Sequence, residues 1–263
     1  MASNAITQVY APAPPPQGFN EPILRSGAYC VRLATSSEDK CAALRLRFLV
    51  FNLELNEGLE SAYTTGLDTD EFDSICDHLI VEHETTGEVV GTYRLQTGAM
   101  AAANLGYYSE REFEFGPYAG LRSEMVELGR ACIHRDHRST EVLFLLWKGV
   151  VRYALARGGR YFIGCCSLTS QDPAEAAAVY SRLSSYQVSP ELRTHPLQHF
   201  ALPLGSEVIA AQEPPKLLRA YLALGAKICG PPAIDREFKT IDFLTFLDLH
   251  SMNYRIRAKL AGV

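Results

Sequence analysis

The stretch of the chain from 124 to 157 constrains the fold more than any other. Its pattern predicts a strand over Met125–Ile133, a short basic turn, and a helix that begins at Ser139 and Thr140. Gly129 inside the strand indicates a bulge or a close approach of the backbone. The first N–H groups of a helix have no intrahelical partner and attract anions, so this turn predicts an anion site, with phosphate as its ligand.

Charged residues on this strand and turn occupy positions where a core strand carries apolar side chains. Glu127 and Arg130 lie three residues apart on the predicted strand, and charged side chains are seldom buried without a partner. Arg135 and Arg138 lie in the turn and strengthen the predicted anion site. The stretch therefore predicts an active site built along one strand and the start of the next helix.

The composition excludes several classes of protein. With 263 residues, 47% of them hydrophobic, the chain can bury a sizeable core, and its net charge of −5 gives no support to a nucleic-acid partner. Its seven cysteines form no C-x-x-C pair, which predicts core residues in a reducing compartment and no metal site. There is no signal-peptide layout, and the most apolar run, 142–156, falls short of the about 20 residues of a membrane span. We therefore expect a soluble, cytoplasmic protein, at most peripheral to a membrane.

Predicted strands and helices alternate along the rest of the chain after an early hairpin. Strands are expected at 28–35, 77–84, 88–97, 161–166 and 241–249, and helices at 38–53, 173–183 and 214–224. This order predicts an α/β (α+β) fold, with one domain, a mixed central sheet and helices on both faces. The domain is expected over 23–250, between a proline-rich disordered leader at 1–22 and a basic C-terminal tail at 251–263.

An acidic segment at 56–75 supplies candidate partners for buried arginines. Asp68, Asp70 and Asp73 are spaced as in a calcium loop, but the glycine and the terminal glutamate that such a loop needs are absent. Carboxylates at this density are instead expected to pair with arginines or with a substrate amine. Arg94, on the second hairpin strand, is either an edge residue or a buried partner of these aspartates.

Several short blocks of the chain occur together in a known superfamily. Four of them are Arg47-x-x-x-Phe51, Asp68-x-Asp70-x-x-Asp73, Gly91-x-x-Arg94-Leu95 and Glu127-Leu-Gly-Arg130. They resemble the acyl-homoserine-lactone synthases of the GNAT acyltransferase superfamily. Further blocks make the chain resemble the ornithine-lipid N-acyltransferases more closely. These enzymes are also called lyso-ornithine lipid synthases and are often labelled hemolysin-like. These further blocks lie at 76–81, 108–113, 146–149 and 214–226.

Three departures refine what the resemblance implies. The tryptophan that lactone synthases carry after the first block is missing, and Asp68 stands where they have glutamate, which argues against a signal synthase. The turn before the predicted helix also lacks the Gly-x-Gly run with which many acetyl-CoA enzymes wrap a pyrophosphate. Arg138-Ser-Thr-Glu suits a single phosphate better, such as that of the phosphopantetheine arm on an acyl carrier protein.

The resemblance implies an enzyme without a bound cofactor that moves a long-chain, 3-hydroxy fatty acyl group from acyl carrier protein to the α-amine of L-ornithine, the first step of ornithine-lipid synthesis. The acyl-phosphopantetheine of the carrier is its co-substrate. Residues expected to bind that arm are Cys132, Arg135, Arg138, Ser139 and Thr140. Residues expected to bind the acceptor are Arg47, Asp70, Asp73, Arg94 and Arg130. The second set could also serve the stability of the scaffold alone.

Attack by an amine on a thioester requires a base. Glu127, partly desolvated on the central strand, is the predicted base, directly or through a water. The alternative is that it only pairs with Arg94 or Arg130.

A backbone N–H beyond the bulge, at 131–132, is expected to stabilise the oxyanion. Tyr180 is expected near the thiol leaving group, where GNAT enzymes often place a tyrosine, or else in the core.

Other activities and partners stay open at this point. The acceptor could be glycine, lysine or glutamine, as in an N-acyl amino acid or glycine-lipid synthase. A signal synthase, a CoA-dependent acetyltransferase and a non-catalytic acyl-binding module share the predicted fold. Arg255, Arg257 and Lys259, after Tyr254, are expected to make a weak contact with anionic lipid of the inner membrane, or to form a solvated tail.

Overall fold

Nine strands of the computed structural model, which describes residues 24–204 and 213–262, form one mixed sheet. They are β1 (Leu24–Ser26), β2 (Tyr29–Leu33), β3 (Asp77–His83), β4 (Glu88–Thr97), β5 (Met125–Ile133), β6 (Tyr161–Leu168), β7 (Lys227–Ile228), β8 (Ala233–Asp235) and β9 (Thr240–Asp248). Their order is β1-β2-β3-β4-β5-β6-β9-β7, and β8 also pairs with β9. All pairs are antiparallel except β5 with β6. The predicted leader at 1–22 lies outside the described residues.

Seven α-helices surround this sheet in the described part of the chain. They are α1 (Ser37–Arg47), α2 (Ala62–Thr65), α3 (Gly98–Ala103), α4 (Thr140–Ala156), α5 (Pro173–Arg182), α6 (Lys216–Leu224) and α7 (Tyr254–Ala261). Residues of a strand alternate between the two faces of a sheet. Leu79 of β3 therefore packs in the core under α4, whereas its neighbour His78 and Arg94 of β4 point to the face of α1, where Arg47 lies. Helices flank both faces, as predicted.

An irregularity in the middle of β5 shapes the site. Opposite Tyr93 of β4, two residues of β5, Arg130 and Ala131, take the place of one, which is a β-bulge. Arg130 has a positive φ of 50° there, a conformation that costs a non-glycine residue about 1 kcal/mol or more. The bulge that the sequence predicts beside Gly129 is therefore present.

The strands β5 and β6 separate soon after their pairing begins. They pair in parallel only over 125–127 with 161–163. At the next step Gly164 approaches the Leu128 carbonyl so closely that a Cβ would lie 2.2 Å from its oxygen, which leaves room only for glycine. Beyond Leu128, one edge of β5 has no paired strand in the described ranges, and a gap opens between the two strands.

Most predicted elements are found, and the differences have physical causes. Strands β4 and β5 have the predicted bounds, and α4 begins after its cap Ser139 as expected. The predicted helix 38–53 is α1 followed by a π-helical turn, Phe48–Glu54. The sequence does not predict β1, β7 and β8, because two or three residues carry too little periodicity.

The predicted basic tail is folded onto the domain. It contains α7, whose Leu260 is fully buried in the core beside α4. Arg152 of α4 donates a hydrogen bond to the Ala261 carbonyl at 3.2 Å. The segment therefore belongs to the packed structure, which its charge does not indicate. No helix within the described ranges is long and apolar enough to cross a membrane.

Candidate active site

A cavity of about 660 Å³ opens in the gap between β5 and β6. Its wall comes mainly from β4, β5 and β6, the π-helical turn, the first two turns of α4, and α6. Residues of β8, of β9 and of the loop after the π-helical turn also line it. Most of the wall surface is apolar, with Val50, Leu143 and Leu146 among its residues. A concave, largely apolar cavity with converging polar groups is the usual form of a small-molecule site.

Three arginines and three aspartates form a buried network beside this cavity, the arginine–aspartate lattice: Arg47, Arg94, Arg130, Asp68, Asp70 and Asp73. Arg47 Nε donates to Asp68 at 2.7 Å, and its Nη1 donates to Asp73 at 2.6 Å. Arg94 Nη1 lies 2.6 Å from Asp70 and 3.2 Å from Asp73. Arg130 Nη2 lies 2.9 Å from Asp70. All six side chains are less than a tenth exposed.

Local structure positions the aspartates of the lattice. Asp70 caps the 3₁₀ turn that follows it by accepting from the Phe72 N–H at 2.9 Å, and its own N–H donates to Asp73 at 2.8 Å. Burial alone would raise the pKa of Asp70 and of Asp73, yet the neighbouring guanidinium groups hold both pKa values below the usual range. Asp70 and Asp73 are therefore ionised beside the arginines.

Only part of the lattice faces the cavity. Arg94 and Arg130 line it, whereas Arg47 and the three aspartates lie behind them. The ring centroid of Tyr108 lies 5.2 Å from Arg94 Cζ and 5.3 Å from Arg130 Cζ. Of the five residues predicted to bind the acceptor, the structure thus brings two to the cavity wall and the other three to the network that positions them.

Glu127 is a buried carboxylate that neutral donors hold in position on the cavity wall. Its Oε2 accepts from the Tyr108 N–H at 2.7 Å, and its Oε1 accepts from the N–H and the Oγ of Ser109 at 2.8 and 2.6 Å. Burial raises the pKa of Glu127, although these hydrogen bonds and the charge of Arg94 act in the opposite direction. Its carboxylate makes no ion pair with Arg94 or Arg130 in the described structure, so the pairing that the sequence leaves open is not found.

A second group of buried carboxyls, the acidic wall, has no arginine or lysine partner within the described ranges: Glu57, Asp235, Asp242 and Glu112. The first three line the cavity, and Glu112 lies behind them. Burial raises the pKa of Glu57 to about 7 and the pKa of Asp242 to about 6. It also raises the pKa of Glu112 well above its usual range, and the nearby Asp242 acts in the same direction.

Hydrogen bonds satisfy only part of the acidic wall. Thr169 Oγ1 donates to Glu57, and Asp235 Oδ1 accepts from the backbone N–H groups at 237 and 238, at 2.9 and 2.8 Å. In contrast, Asp242 Oδ1 and Glu112 Oε1 are buried and accept no hydrogen bond from an N–H or O–H group of the described structure, and the raised pKa of Glu112 allows its proton to bridge the two carboxyls. Unpaired buried polar atoms are rare in folded proteins and call for an explanation.

One group of side chains in the described structure has the spacing of a metal site. Glu112, Cys165 and Asp242 hold one ligand atom each, all within 4.8 Å of one another. Burial raises the pKa of the Cys165 thiol and of both carboxyls. Metal ligands have to be deprotonated, so a metal ion here would have to displace protons from Glu112 and Cys165.

The residues predicted to bind phosphopantetheine lie at the end of β5, in the basic turn and at the start of α4. Those that line the cavity are Cys132, Arg138, Ser139 and Thr140. Ser139 caps the helix by accepting from the Val142 N–H at 3.2 Å. Arg138 makes two hydrogen bonds with Glu54, at 2.5 and 2.7 Å, so its charge is partly neutralised. Arg135 is exposed and lies outside the cavity wall.

Tyr180 does not reach the cavity. It lies in α5 and packs, partly buried, against the core formed by α5, α6 and β9, and it is absent from the described cavity wall. The structure therefore gives no support to its predicted place near the leaving group. Three other tyrosines line the cavity instead, Tyr93, Tyr108 and Tyr221. The hydroxyl groups of Tyr93 and Tyr221 hydrogen-bond to each other.

Sequence reasoning misses the acidic wall and the tyrosine pair. The sequence does indicate Asp242 as a candidate, because this charged residue interrupts the apolar strand Thr-Ile-Asp-Phe-Leu as Glu127 interrupts β5. Glu57 has no such signal, since it lies in a loop after the π-helical turn and only the fold brings it to the cavity.

The split sheet and its cavity define an acyltransferase of the GNAT class. The family model described as an acetyltransferase (GNAT) domain matches residues 46–148. The chain is 31% identical over 242 residues to an L-ornithine N(alpha)-acyltransferase of Rhodobacter capsulatus, and the alignment covers 88% of this chain and 93% of the relative. The chain therefore belongs to the L-ornithine N(alpha)-acyltransferase family.

Solved structures share the fold at low sequence identity. FeeM, an N-acyl amino acid synthase from uncultured soil microbes, is similar with a TM-score of 0.52 and 12% identity, over 85% of this chain and 91% of that one. The acyl-homoserine-lactone synthase LasI is similar with a TM-score of 0.51 and 11% identity, over 89% of this chain and 95% of that one.

Proposed function

We propose that this acyltransferase moves a long-chain, 3-hydroxy fatty acyl group from acyl carrier protein to the α-amine of L-ornithine. The name of the relative from Rhodobacter capsulatus supports ornithine as the acceptor. The observation that carries the proposal is one cavity in which a buried carboxylate, two guanidinium groups and a largely apolar wall meet. The amine, the carboxylate and the acyl chain of the two substrates each have a matching surface there.

The α-carboxylate of the acceptor binds to Arg94 and Arg130. A guanidinium has five N–H donors, and only some of those on each arginine are used by the aspartates of the lattice. Because these aspartates hold both side chains in place, the remaining donors are oriented before the substrate arrives. Such preorganisation lowers the entropic cost of binding.

Glu127 acts as the general base, directly or through a water. The amine nitrogen attacks the thioester carbonyl, the C–N bond forms and the C–S bond breaks. The amine proton passes to Glu127, and the released phosphopantetheine thiolate takes up a proton from Glu127 or from solvent. The raised pKa of Glu127 suits a group that has to accept a proton.

The donor arm lies along the open edge of β5. An arm that contains amides can pair with an unpartnered strand edge as a further strand does, and 128–133 lines the cavity along this edge. A backbone N–H at 131–132 stabilises the oxyanion. The phosphate of the arm binds at the N-terminus of α4, and the acidic carrier protein docks near the exposed Arg135.

The test is acyl transfer with defined donors and acceptors. The protein is incubated with 3-hydroxyacyl and unsubstituted acyl carrier proteins and with the matching acyl-CoA, each with ornithine, glycine, lysine or glutamine, and the lipid is identified by mass. We expect N-acyl-ornithine from the hydroxylated carrier donor. Absence of any acylated amino acid would contradict the proposed function, and equal use of acyl-CoA would overturn the assigned donor.

A further inference from the structure

We propose that the acidic wall binds the side-chain ammonium group of the acceptor and thereby selects a diamino acid over a neutral one. This inference rests on the proposed function, since it assumes that an amino acid occupies the cavity. It assigns a substrate contact to Glu57 and Asp242, which neither the sequence nor the reaction chemistry requires.

The first argument is the absence of a counter-charge. The aspartates of the lattice lie within 2.9 Å of a guanidinium nitrogen, whereas no carboxyl of the acidic wall has an arginine or lysine partner in the part of the chain that the structure describes. Glu57, Asp235 and Asp242 are 5%, 7% and 4% exposed. Buried carboxylates without a cation are costly. A ligand that carries an ammonium group supplies the missing charge.

The second argument is an unpaired acceptor atom in a residue that lines the cavity. Asp242 Oδ1 is buried and has no hydrogen-bond partner, and Glu112 Oε1 behind it has none either. An ammonium group has three N–H donors and no acceptor. It can therefore satisfy Asp242 and Glu57 together, which a neutral apolar side chain cannot do.

The third argument is distance. Ser109 Oγ lies 2.6 Å from Glu127 Oε1, and Cys165 Sγ lies 3.6 Å from that Oγ and 3.8 Å from Glu112 Oε2. Two small side chains thus separate the base from the acidic wall. The two amines of ornithine are joined by five bonds and stand roughly 6 Å apart when extended. Asp242 also has a carboxylate oxygen within 4.8 Å of Cys165 Sγ, so with the α-amine at Glu127 we infer that the second amine extends toward Asp242.

The test compares ornithine with norvaline, which has the same carbon chain without the side-chain amine. We expect the wild-type protein to use ornithine with a kcat/KM about 10²-fold higher than norvaline, as for a buried charge pair that loses one partner. Asp242→Asn and Glu57→Gln lie on different elements, and each is expected to reduce this ratio at least tenfold. The matched control is Asp248→Asn, on the same strand as Asp242 but paired with Arg160 outside the cavity, which should keep the ratio.

The outcomes separate this inference from the proposed function. If wild-type protein acylates no amino acid, the proposed function fails. If it acylates ornithine and norvaline equally well, the proposed function stands and the inference is overturned. The inference is also overturned if both variants, folded by circular dichroism, lower the two kcat/KM values by the same factor. Calorimetric titration of ornithine into wild-type and variant protein gives a second readout, in which weaker binding to both variants but not to the control supports it.

Discussion

The arginine–aspartate lattice and the acidic wall are two sets of buried carboxyls with opposite partners. In the lattice, guanidinium groups offset the cost of burial and keep the pKa of Asp70 and of Asp73 low. In the acidic wall, burial has no such compensation, and the pKa values of Glu57 and Asp242 rise. The same residue types are thus ionised in one region and partly protonated in the other at neutral pH.

The difference teaches that burial alone does not assign a role to a carboxyl. A fully paired network makes the structure rigid but has little left to offer a ligand. An unpaired carboxyl on a cavity wall destabilises the empty protein and gains a partner when a cation binds. Glu127 stands between these cases, because neutral donors hold its carboxylate and no arginine pairs with it.

Removal of an arginine from the lattice should have the largest effect on stability. Arg47→Ala leaves the buried Asp68 without its hydrogen-bonded guanidinium and Asp73 with only the longer contact to Arg94, and breaking such a pair costs about 3–5 kcal/mol. Urea unfolding measures the loss. The exposed Arg45→Ala, two residues earlier, is the control and should change the free energy of unfolding by less than about 0.5 kcal/mol. Equal stabilities of the two variants would show that the lattice does not stabilise the fold.

Substitution of Glu127 tests a buried carboxylate that is held by neutral donors, unlike the carboxyls of the lattice or of the acidic wall. Glu127→Gln should keep the fold and lower kcat by ~10²-fold or more, the usual effect of a lost general base. Ser109→Ala is the control, since it removes the donor at 2.6 Å but keeps the carboxylate. Near-normal turnover of folded Gln variant would exclude Glu127 from the proton transfer, and an equal loss in both variants would assign it a structural role.

A pH series should reveal opposite signs in the two regions. Because the pKa of Glu57 is raised to about 7 from 4.5, its contribution to stability is full below pH 4.5 and is lost as the pH rises through 7. Glu57→Gln removes this loss, so the variant should be more stable than wild type by about 3 kcal/mol at pH 8 and similar at pH 4. The free energy of unfolding at both pH values checks this.

The control for the pH series comes from the lattice. The pKa of Asp73 is lowered, so its contribution is present above its unfolded pKa and is lost as the pH falls through the folded one. Asp73→Asn should therefore destabilise the protein at pH 8. If Glu57→Gln also destabilises the protein at pH 8, the predicted opposite effects of the two regions on stability are refuted.

An exposed arginine differs from the buried charges of both regions, because solvent and salt screen its charge. Arg135→Glu should raise the KM for acyl carrier protein about tenfold at low salt and less in high salt, with the KM for the amine unchanged. The control is Arg193→Glu, at another exposed arginine outside the cavity wall. An unchanged donor KM would place the docking surface elsewhere.

The smallest effect is expected at the basic C-terminal segment. We propose a weak contact of Arg255 and Lys259 with anionic lipid, to which each charge contributes about 1 kcal/mol. Truncation would remove the buried Leu260, so Arg255→Glu with Lys259→Glu is the cleaner change. It should reduce salt-sensitive sedimentation with anionic vesicles and leave transfer from a soluble donor intact. Equal pelleting of both proteins would refute the contact.

The sequence by itself determines the central features of this protein. The alternation around β5, the capping serine before α4 and the bulge near Gly129 follow from local pattern, because short-range sterics and backbone hydrogen bonding decide them. Arg94 and Arg130 of the lattice are also visible in the sequence, since charges within apolar strands stand out. The resemblance to acyltransferases rests on the same residues.

The tertiary structure alone decides which charges meet. Arg138 pairs with Glu54, 84 residues away in the chain. Arg47 does not line the cavity, whereas Arg94 and Arg130 do. Glu57 and Asp242 reach one wall from a loop and the last strand, and Tyr180 stays away from it. Charge interactions depend on distance and burial in space, which local sequence patterns do not contain.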